Sequence, residues 1–282
     1  MPTSLSFRRK ILRLPIIGTA IVALQRLGYA AKVDLRFKRQ VLKWLFTSRE
    51  KTNITYDLSP QSVDHLAAAV AAVTGITHEN ARRYIDELEA DDGLRRHIRE
   101  ATLASGRRYS SDLEARFGRR AGWYAVVRAT KPKIIVETGV DKGLGSVVLA
   151  AALLRNREEG HEGRHYGTDI DPGAGFLISG EYAEVAETIY GDSIESLTNL
   201  DATIDLFIND SDHSAEYEAL EYVAVAGKLA DRALILGDNA HVTDKLLTFA
   251  RSTGRKFLYF GEIPADHWHR GGGIGFAYRD SD

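Results

Sequence analysis

The chain has 282 residues, of which 44% are hydrophobic and 27% are charged, a composition typical of a soluble globular enzyme with one large domain. It contains no cysteine, which excludes disulfides, zinc–thiolate sites and thiol catalysis. The formal net charge is −2, but residues 1–50 hold eleven Lys and Arg against two acids, so the remainder carries −11. Because this remainder is acidic, we expect no nucleic-acid partner.

The first 55 residues are predicted to form a basic amphipathic helical arm. Between residues 35 and 46, apolar side chains such as Leu35 and Trp44 are interleaved with cations such as Arg36 and Lys43. Three interpretations remain open for residues 1–50. The arm makes peripheral contact with an anionic membrane, it packs on its own body or on a second subunit of a homo-oligomer, or it is disordered.

The apolar run at residues 14–24 superficially resembles a signal peptide. Gln25 and Arg26 interrupt the approach to a cleavage site, which argues against that interpretation. No apolar run approaches the roughly 20 residues that are needed to span a bilayer. We therefore expect a cytoplasmic protein, with membrane association only through the arm.

The remaining elements follow in chain order. Residues 56–104 are predicted to form a helical cap with helices starting at Ser59 and Thr77, and residues 110–128 a further helix. From Lys131 onward, short apolar strands alternate with helices; the predicted strands are 134–137, 164–169, 186–190, 204–210, 232–238, 256–259 and 273–278. Such alternation predicts, for residues 105–282, an α/β domain with a doubly wound, mostly parallel sheet.

Two of the predicted strands end in acids. Asp210 closes the run that begins at residue 204, and Asp238 closes the run that begins at residue 232 and is followed by Asn239. Ligands bind outside the carboxyl ends of the strands in open α/β sheets, so these side chains are expected to lie together. Oxygen ligands suit a hard cation such as Mg²⁺, and His213 is within reach of the same site.

Other roles remain open for neighbouring residues. Asp212, His213 and Ser214 precede a predicted helix, and Asp and Ser are favoured helix N-caps. Gly139 and Gly143 lie in a turn between the first strand of the sheet and its helix, where glycine lets the backbone approach a ligand closely. This turn also matches the cofactor turn of short-chain dehydrogenases. That alternative fails because no tyrosine in the chain has a lysine four residues later.

Three segments together carry a family resemblance: the glycine turn at 137–146, the strand end at 166–172 and the segment at 191–193. From about residue 120 to its end, the chain resembles class I S-adenosylmethionine-dependent methyltransferases. The resemblance implies that Asp169 binds the ribose hydroxyls, that Asp192 or Ser193 lies near the adenine, and that Asp171 is structural. The complete set of implied cofactor-binding residues is Glu137, Gly139, Gly143, Ser146, Asp169, Asp192, Ser193 and Asp210.

Within that family, the chain most resembles cation-dependent O-methyltransferases of the catechol and caffeoyl-coenzyme-A type and the related sugar and antibiotic enzymes. The resemblance implies Mg²⁺-assisted methyl transfer to a hydroxyl of a small molecule, such as a sugar, a phenol or a product of secondary metabolism. It also implies the metal ligands Asp210, Asp238 and Asn239, and His213 as the base. His213 stands where catechol-type enzymes have a lysine, and Gly237 where antibiotic enzymes often have an acid.

Two further functions remain open from the sequence. The chain could use the same cofactor without a metal, with Asp210 orienting the substrate and His213 acting alone as the base. Alternatively, it could be a non-catalytic module that binds S-adenosylmethionine.

Overall fold

The structure is a computed structural model, and it describes residues 15–238 and 240–280. The chain divides into two compact units. The first comprises Met1–Ser48 with Asp266–Trp268, and the second comprises Arg49–Ala265 with His269–Asp282. Within the described residues, no helix is both long enough and apolar enough to cross a membrane.

The first unit is built around one helix, α1 (Pro15–Thr47), which agrees with the predicted helical arm. The Trp268 ring makes edge-on contacts with Trp44 and Phe37, at ring-centroid distances of 5.2 and 6.5 Å. Lys43 Nζ lies 2.9 Å from the Asp266 carboxylate. The helix ends at Thr47, so the residues between it and the predicted arm boundary at 55 lie outside it.

The second unit opens with four helices: α2 (Pro60–Thr74), α3 (His78–Glu89), α4 (Asp92–Ala104) and α5 (Arg120–Thr130). The starts predicted at Ser59 and Thr77 are confirmed, because each side chain accepts a hydrogen bond from a backbone N–H of the first helical turn. The helix predicted over 110–128 is wrong in its first half. Gly118 has a left-handed φ of +54°, which a helix cannot contain, and α5 begins two residues later.

The sheet follows in the order β3-β2-β1-β4-β5-β7-β6, which confirms the predicted doubly wound α/β fold. Its strands are β1 (Ile134–Thr138), β2 (Arg164–Asp169), β3 (Ala186–Tyr190), β4 (Ile204–Asn209), β5 (Leu229–Asp238), β6 (Lys256–Gly261) and β7 (Gly273–Tyr278). The helices between them are α6 (Leu144–Glu158), α7 (Ser193–Asn199), α8 (Ala215–Ala226) and α9 (Lys245–Ser252). Strands β1 to β5 pair in parallel, and β7 runs antiparallel to β5 and β6.

The strand order places a topological switch point beside β1. From β1 the chain runs outward to β2 and β3, and then returns to β4 on the other side of β1. Backbone hydrogen bonds hold the three strand ends together: Gly139 N donates to Thr168 O, and Asp210 N donates to Thr138 O, both at 2.9 Å. Ligands of open α/β sheets bind in the crevice that such a reversal creates.

Candidate functional site

A cavity of about 550 Å³ opens at this switch point, and we call it the carboxyl-edge cavity. Its lining residues are Asn53, Gly139, Asp141, Thr168, Asp169, Ile170, Gly191, Asp192, Ser193, Asp210, Ser211, Asp212, His213 and Tyr217. Five aspartates and no Lys or Arg stand in this lining, so the cavity favours a ligand that carries positive charge. A cavity of about 630 Å³ at the opposite strand ends is lined by Lys131, Lys133 and Arg157 and lies away from the switch point.

The turn after β1 is shaped by Gly139. Its φ is +83°, and a Cβ atom there would lie 2.1 Å from the carbonyl oxygen of Asp210. Only glycine therefore lets the ends of β1 and β4 approach this closely. Gly143, with φ of +92°, is the residue that precedes α6, and it does not line the cavity.

Two of the predicted cofactor residues, Glu137 and Ser146, are buried beneath the turn and do not line the cavity. Ser146 Oγ donates a hydrogen bond of 2.6 Å to Glu137 Oε2, and His165 Nε2 lies 2.9 Å from the same oxygen. These contacts join β1, β2 and the start of α6. In this structure both residues act on the cavity only by holding its turn in place.

The end of β2 presents a polar and an apolar group to the cavity. The Asp169 carboxylate accepts hydrogen bonds from the backbone N–H groups of Asp141 and Asp171, at 2.7 and 2.8 Å, and keeps lone pairs on both oxygens. The Thr168 hydroxyl is buried and has no hydrogen-bond partner within the described residues. Ile170 is 78% exposed, which leaves an apolar surface beside these polar groups.

An arginine clamp fixes the loops on this side of the cavity. Arg107 donates to Asp141 Oδ1 and to Asp171 Oδ2, each at 2.5 Å, so Asp171 has the structural contacts that were expected of it. Asn53 Nδ2 donates to Asp141 Oδ2, also at 2.5 Å. The segment before α2 thus reaches the cavity through Asn53, a residue that no motif in the sequence indicates.

On the far side of the cavity, Asp192 caps α7 by accepting a hydrogen bond of 3.0 Å from Glu195 N. It also accepts a hydrogen bond of 2.9 Å from the Tyr217 hydroxyl. The Glu195 N–H and the Tyr217 hydroxyl lower the pKa of Asp192 below its ordinary value. Tyr217 lies on α8, 24 residues from Ser193, and its hydroxyl is 3.0 Å from Ser193 Oγ.

Beneath this side lies Glu221, a fully buried carboxylate. Burial raises the pKa of Glu221, although four side-chain donors partly offset that effect. The donors are Thr138 Oγ1, Ser193 Oγ, Asn209 Nδ2 and Ser211 Oγ. The cluster connects β1, β4, α7 and α8 directly below the cavity floor.

At the β4–β5 end of the site, the structure brings Asp210, His213 and Asp238 together. The register pairs Asn209 with Gly237, which places the two aspartates on adjacent strand ends. One ligand atom from each of the three side chains lies within 4.8 Å of the other two, and His213 Nε2 is 3.8 Å from Asp210 Oδ1. Burial, together with the adjacent Asp238 carboxylate, raises the pKa of Asp210 well above its ordinary value.

A half-buried arginine, which the sequence did not indicate, contacts Asp238. Arg119 Nε and Nη2 donate to the two Asp238 oxygens, and Arg119 Nη1 donates to Glu262 Oε1 at 3.1 Å. Burial acts to raise the pKa of Asp238, because it favours the neutral carboxyl group. The effect of the Arg119 guanidinium is larger, and it holds the pKa of Asp238 below its ordinary value. Arg120 adds a second positive charge, which offsets part of the rise in the pKa of Asp210 and helps to lower the pKa of Asp238.

These residues fit a divalent cation. Asp210 and Asp238 lie close enough to share a hydrogen bond. Two carboxylates this close repel each other, and a bound proton or a bound cation removes that repulsion. Carboxylates are the ligands that Mg²⁺ prefers. Arg119 is the departure from a simple cation site, because it already contacts both oxygens of Asp238. The third predicted ligand, Asn239, lies outside the described residues.

Comparison with known proteins identifies the domain and its fold. Residues 136–240 match a family model described as a methyltransferase domain. The O-methyltransferase TomG from Streptomyces achromogenes, solved with S-adenosylmethionine, is 15% identical, with a TM-score of 0.50 over 67% of this chain and 89% of that chain. A methyltransferase from Geobacter sulfurreducens is 19% identical, with a TM-score of 0.50 over 67% of this chain and 90% of that chain. Comparison with curated protein sequences gives no match.

At these identities the two structures show the fold, and the family model identifies the domain that carries it. The matched residues run from β1 past the end of β5, so they span the glycine turn and all the strand ends that border the carboxyl-edge cavity. Residues 136–240 therefore match a methyltransferase domain, and the chain has the fold of the two solved methyltransferases.

Proposed function

We propose that the chain transfers a methyl group from S-adenosylmethionine to a hydroxyl of a small-molecule acceptor. The observation that carries this proposal is the aspartate-lined carboxyl-edge cavity, with Asp210 and His213 in its wall. S-adenosylmethionine bears a sulfonium and an ammonium group, which suit such a lining. A dinucleotide pyrophosphate would be repelled by it, and this further disfavours the dehydrogenase alternative.

The lining residues offer a separate role for each part of the cofactor. The remaining Asp169 lone pairs would accept from the ribose hydroxyls, and the unpartnered Thr168 hydroxyl lies next to them. Ile170 offers an apolar surface to the adenine ring, with Asp192 and Ser193 across the cavity. Glu137, Gly143 and Ser146 would contribute by shaping the turn, since they do not reach the cavity.

In the proposed reaction, His213 accepts the proton of the acceptor hydroxyl. The oxygen then bonds to the methyl carbon, and the sulfur keeps the electron pair of the broken carbon–sulfur bond, which leaves S-adenosylhomocysteine. A divalent cation such as Mg²⁺, held by Asp210 and Asp238 and by the predicted ligand Asn239, would favour the oxyanion when bound. Asp210 and His213 both line the cavity, so deprotonation and transfer would take place at one point.

Arg119 favours a second candidate function, which is methyl transfer without a metal. Its guanidinium already neutralises Asp238, and Arg120 adds a second positive charge near Asp210. In that case Asp210 would orient the acceptor and His213 alone would remove the proton. The two candidates share the cofactor, the acceptor class and the base, and they differ only in their need for a cation.

A chelator titration with a panel of catechol and sugar acceptors distinguishes the candidates. For the cation-assisted reaction, we expect metal removal to lower turnover at least about 100-fold, because the oxyanion loses its counter-charge, and we expect Mg²⁺ to restore it. Full activity without divalent metal would contradict the cation and support the second candidate. Saturable cofactor binding with no turnover of any acceptor would instead indicate a non-catalytic module.

Asp169→Asn tests the assignment of the cofactor. The amide keeps the shape of the side chain but removes the charged acceptor, so S-adenosylhomocysteine affinity should fall about ten-fold or more. Isothermal titration calorimetry measures the change. The control is Asp201→Asn, a substitution of an exposed acid that lies away from the cavity. Equal affinity in the two variants would contradict a ribose contact at Asp169.

A further inference from the structure

Helix α1 carries an exposed apolar stripe, which we call the leucine stripe: Leu24, Leu27, Leu35, Leu42 and Leu45. The exposed fractions of these five side chains lie between 55% and 68%. At about 100° of rotation per residue they fall within roughly 80° of one another around the helix axis. Ile17 and Phe46, also exposed, extend the stripe to both ends of the helix. An apolar surface of this length, interrupted by a single charged residue, Lys38, marks an interaction site rather than a scatter of single exposed residues.

A row of cations borders the leucine stripe along one side. Lys32, Arg36, Arg39 and Lys43 are exposed and fall roughly 60–120° from Leu24 in the same projection. Between Pro15 and Thr47 there are six Lys and Arg in total, against a single acid, Asp34. An apolar face beside a basic row is the arrangement of helices that lie in the interface of an anionic bilayer.

The opposite side of α1 is covered only in part, near its C-terminal end. Phe37 and Trp44 point away from the leucine stripe in the helical projection and contact the Trp268 ring. Val22, Tyr29 and Val33 on the same side are exposed. The packing within this unit therefore reaches only one part of the helix surface and leaves the leucine stripe exposed.

We propose that α1 docks the methyltransferase on the surface of an anionic lipid bilayer, with the leucine stripe entering the acyl boundary and the cation row contacting lipid phosphates. The charge on the helix favours this occupant over a second copy of the chain. Lys38 lies within the leucine stripe and pairs with Asp34 at 2.8 Å. A self-pairing through the stripe would bury this ion pair and bring two basic rows close together. At a bilayer surface, Lys38 can extend to the headgroups while its stem stays among the leucines.

Vesicle co-sedimentation of the full-length chain tests this proposal. We expect binding to vesicles of phosphatidylcholine with about 30% phosphatidylglycerol to exceed binding to pure phosphatidylcholine by at least about ten-fold, and to weaken as salt is added. Leu35→Glu/Leu42→Glu should lower the binding at least about ten-fold by placing charge in the apolar stripe, and Lys32→Glu/Arg36→Glu should remove the preference for anionic lipid.

The matched control is Leu220→Glu, which changes a 52% exposed leucine on α8 and should leave vesicle binding unchanged. Circular dichroism and the melting temperature of each variant show that it is folded. Equal binding to neutral and anionic vesicles, or no binding to either, would overturn the proposal. Light scattering that shows a dimer which Leu35→Glu/Leu42→Glu dissociates, without any vesicle binding, would overturn it too and assign the stripe to self-association.

Discussion

Replacing Asp210 with Asn is expected to lower turnover by about 10³-fold or more. The Asp210 carboxylate lies in the wall of the carboxyl-edge cavity and close enough to Asp238 to share a hydrogen bond with it. With a cation, the change removes a charged ligand; without one, it removes the group that orients the acceptor. Single-turnover kinetics isolate the loss in the methyl-transfer step from changes in binding.

The control for this substitution is Asp212→Asn, two residues away. Asp212 also lines the cavity, but its carboxylate accepts a hydrogen bond of 2.8 Å from Ser214 N at the start of α8. We expect turnover to change only a few-fold in that variant, since the lost contact is a local one. Wild-type turnover in Asp210→Asn would remove Asp210 from the mechanism in either of the two candidates.

His213→Gln should lower turnover by about 10²- to 10⁴-fold, the range lost when a general base is removed. The glutamine amide can keep a hydrogen bond to the acceptor but cannot take its proton. Turnover measured beside the melting temperature of the variant therefore separates a base from a residue that only supports the structure.

His241→Gln provides the matched control for the base. His241 is exposed, its ring centroid is 6.4 Å from that of Tyr259, and it does not line the cavity. Its substitution should preserve the rate. Wild-type turnover in a folded His213→Gln variant would contradict the role of His213 as the base.

Much of the fold could be predicted from local patterns. The caps at Ser59 and Thr77 and the alternation of apolar strands with helices depend on nearest-neighbour chemistry, and both are present in the structure. The helix predicted from residue 110 was wrong because distant contacts decide this segment. The backbone N–H of Asp112 donates to the Glu50 carboxylate, 62 residues away, and Gly118 then turns the chain.

In the candidate site, too, the residues that follow local patterns could be predicted, and those brought in by distant contacts could not. Asp169, Asp192, Asp210 and Asp238 could be predicted because each lies at or just after the carboxyl end of a strand, and parallel strands bring these ends to one edge. Arg119 could not, because 119 residues separate it from Asp238 and it belongs to no motif. The same holds for Asn53 and Tyr217, which come from the segment before α2 and from α8.

Glu137 shows that the direction of a side chain is harder to predict from the sequence than its place along a strand. Its place near the end of β1 suggests a ligand contact, but residues of a buried strand alternate between two covered faces. The Glu137 side chain falls on the face that α6 covers, where it accepts from Ser146. Sequence position fixes how near a residue is to a strand end, whereas the direction of its side chain depends on the register within the strand.

We propose that the carboxyl-edge cavity holds the methyl donor. The most direct measurement is a calorimetric titration of S-adenosylhomocysteine into the purified full-length chain, followed by displacement with S-adenosylmethionine. We predict saturable binding of one molecule per chain, displaced by the methyl donor and weakened by Asp169→Asn. Absence of binding, or binding that Asp169→Asn leaves unchanged, would contradict the assignment of this cavity.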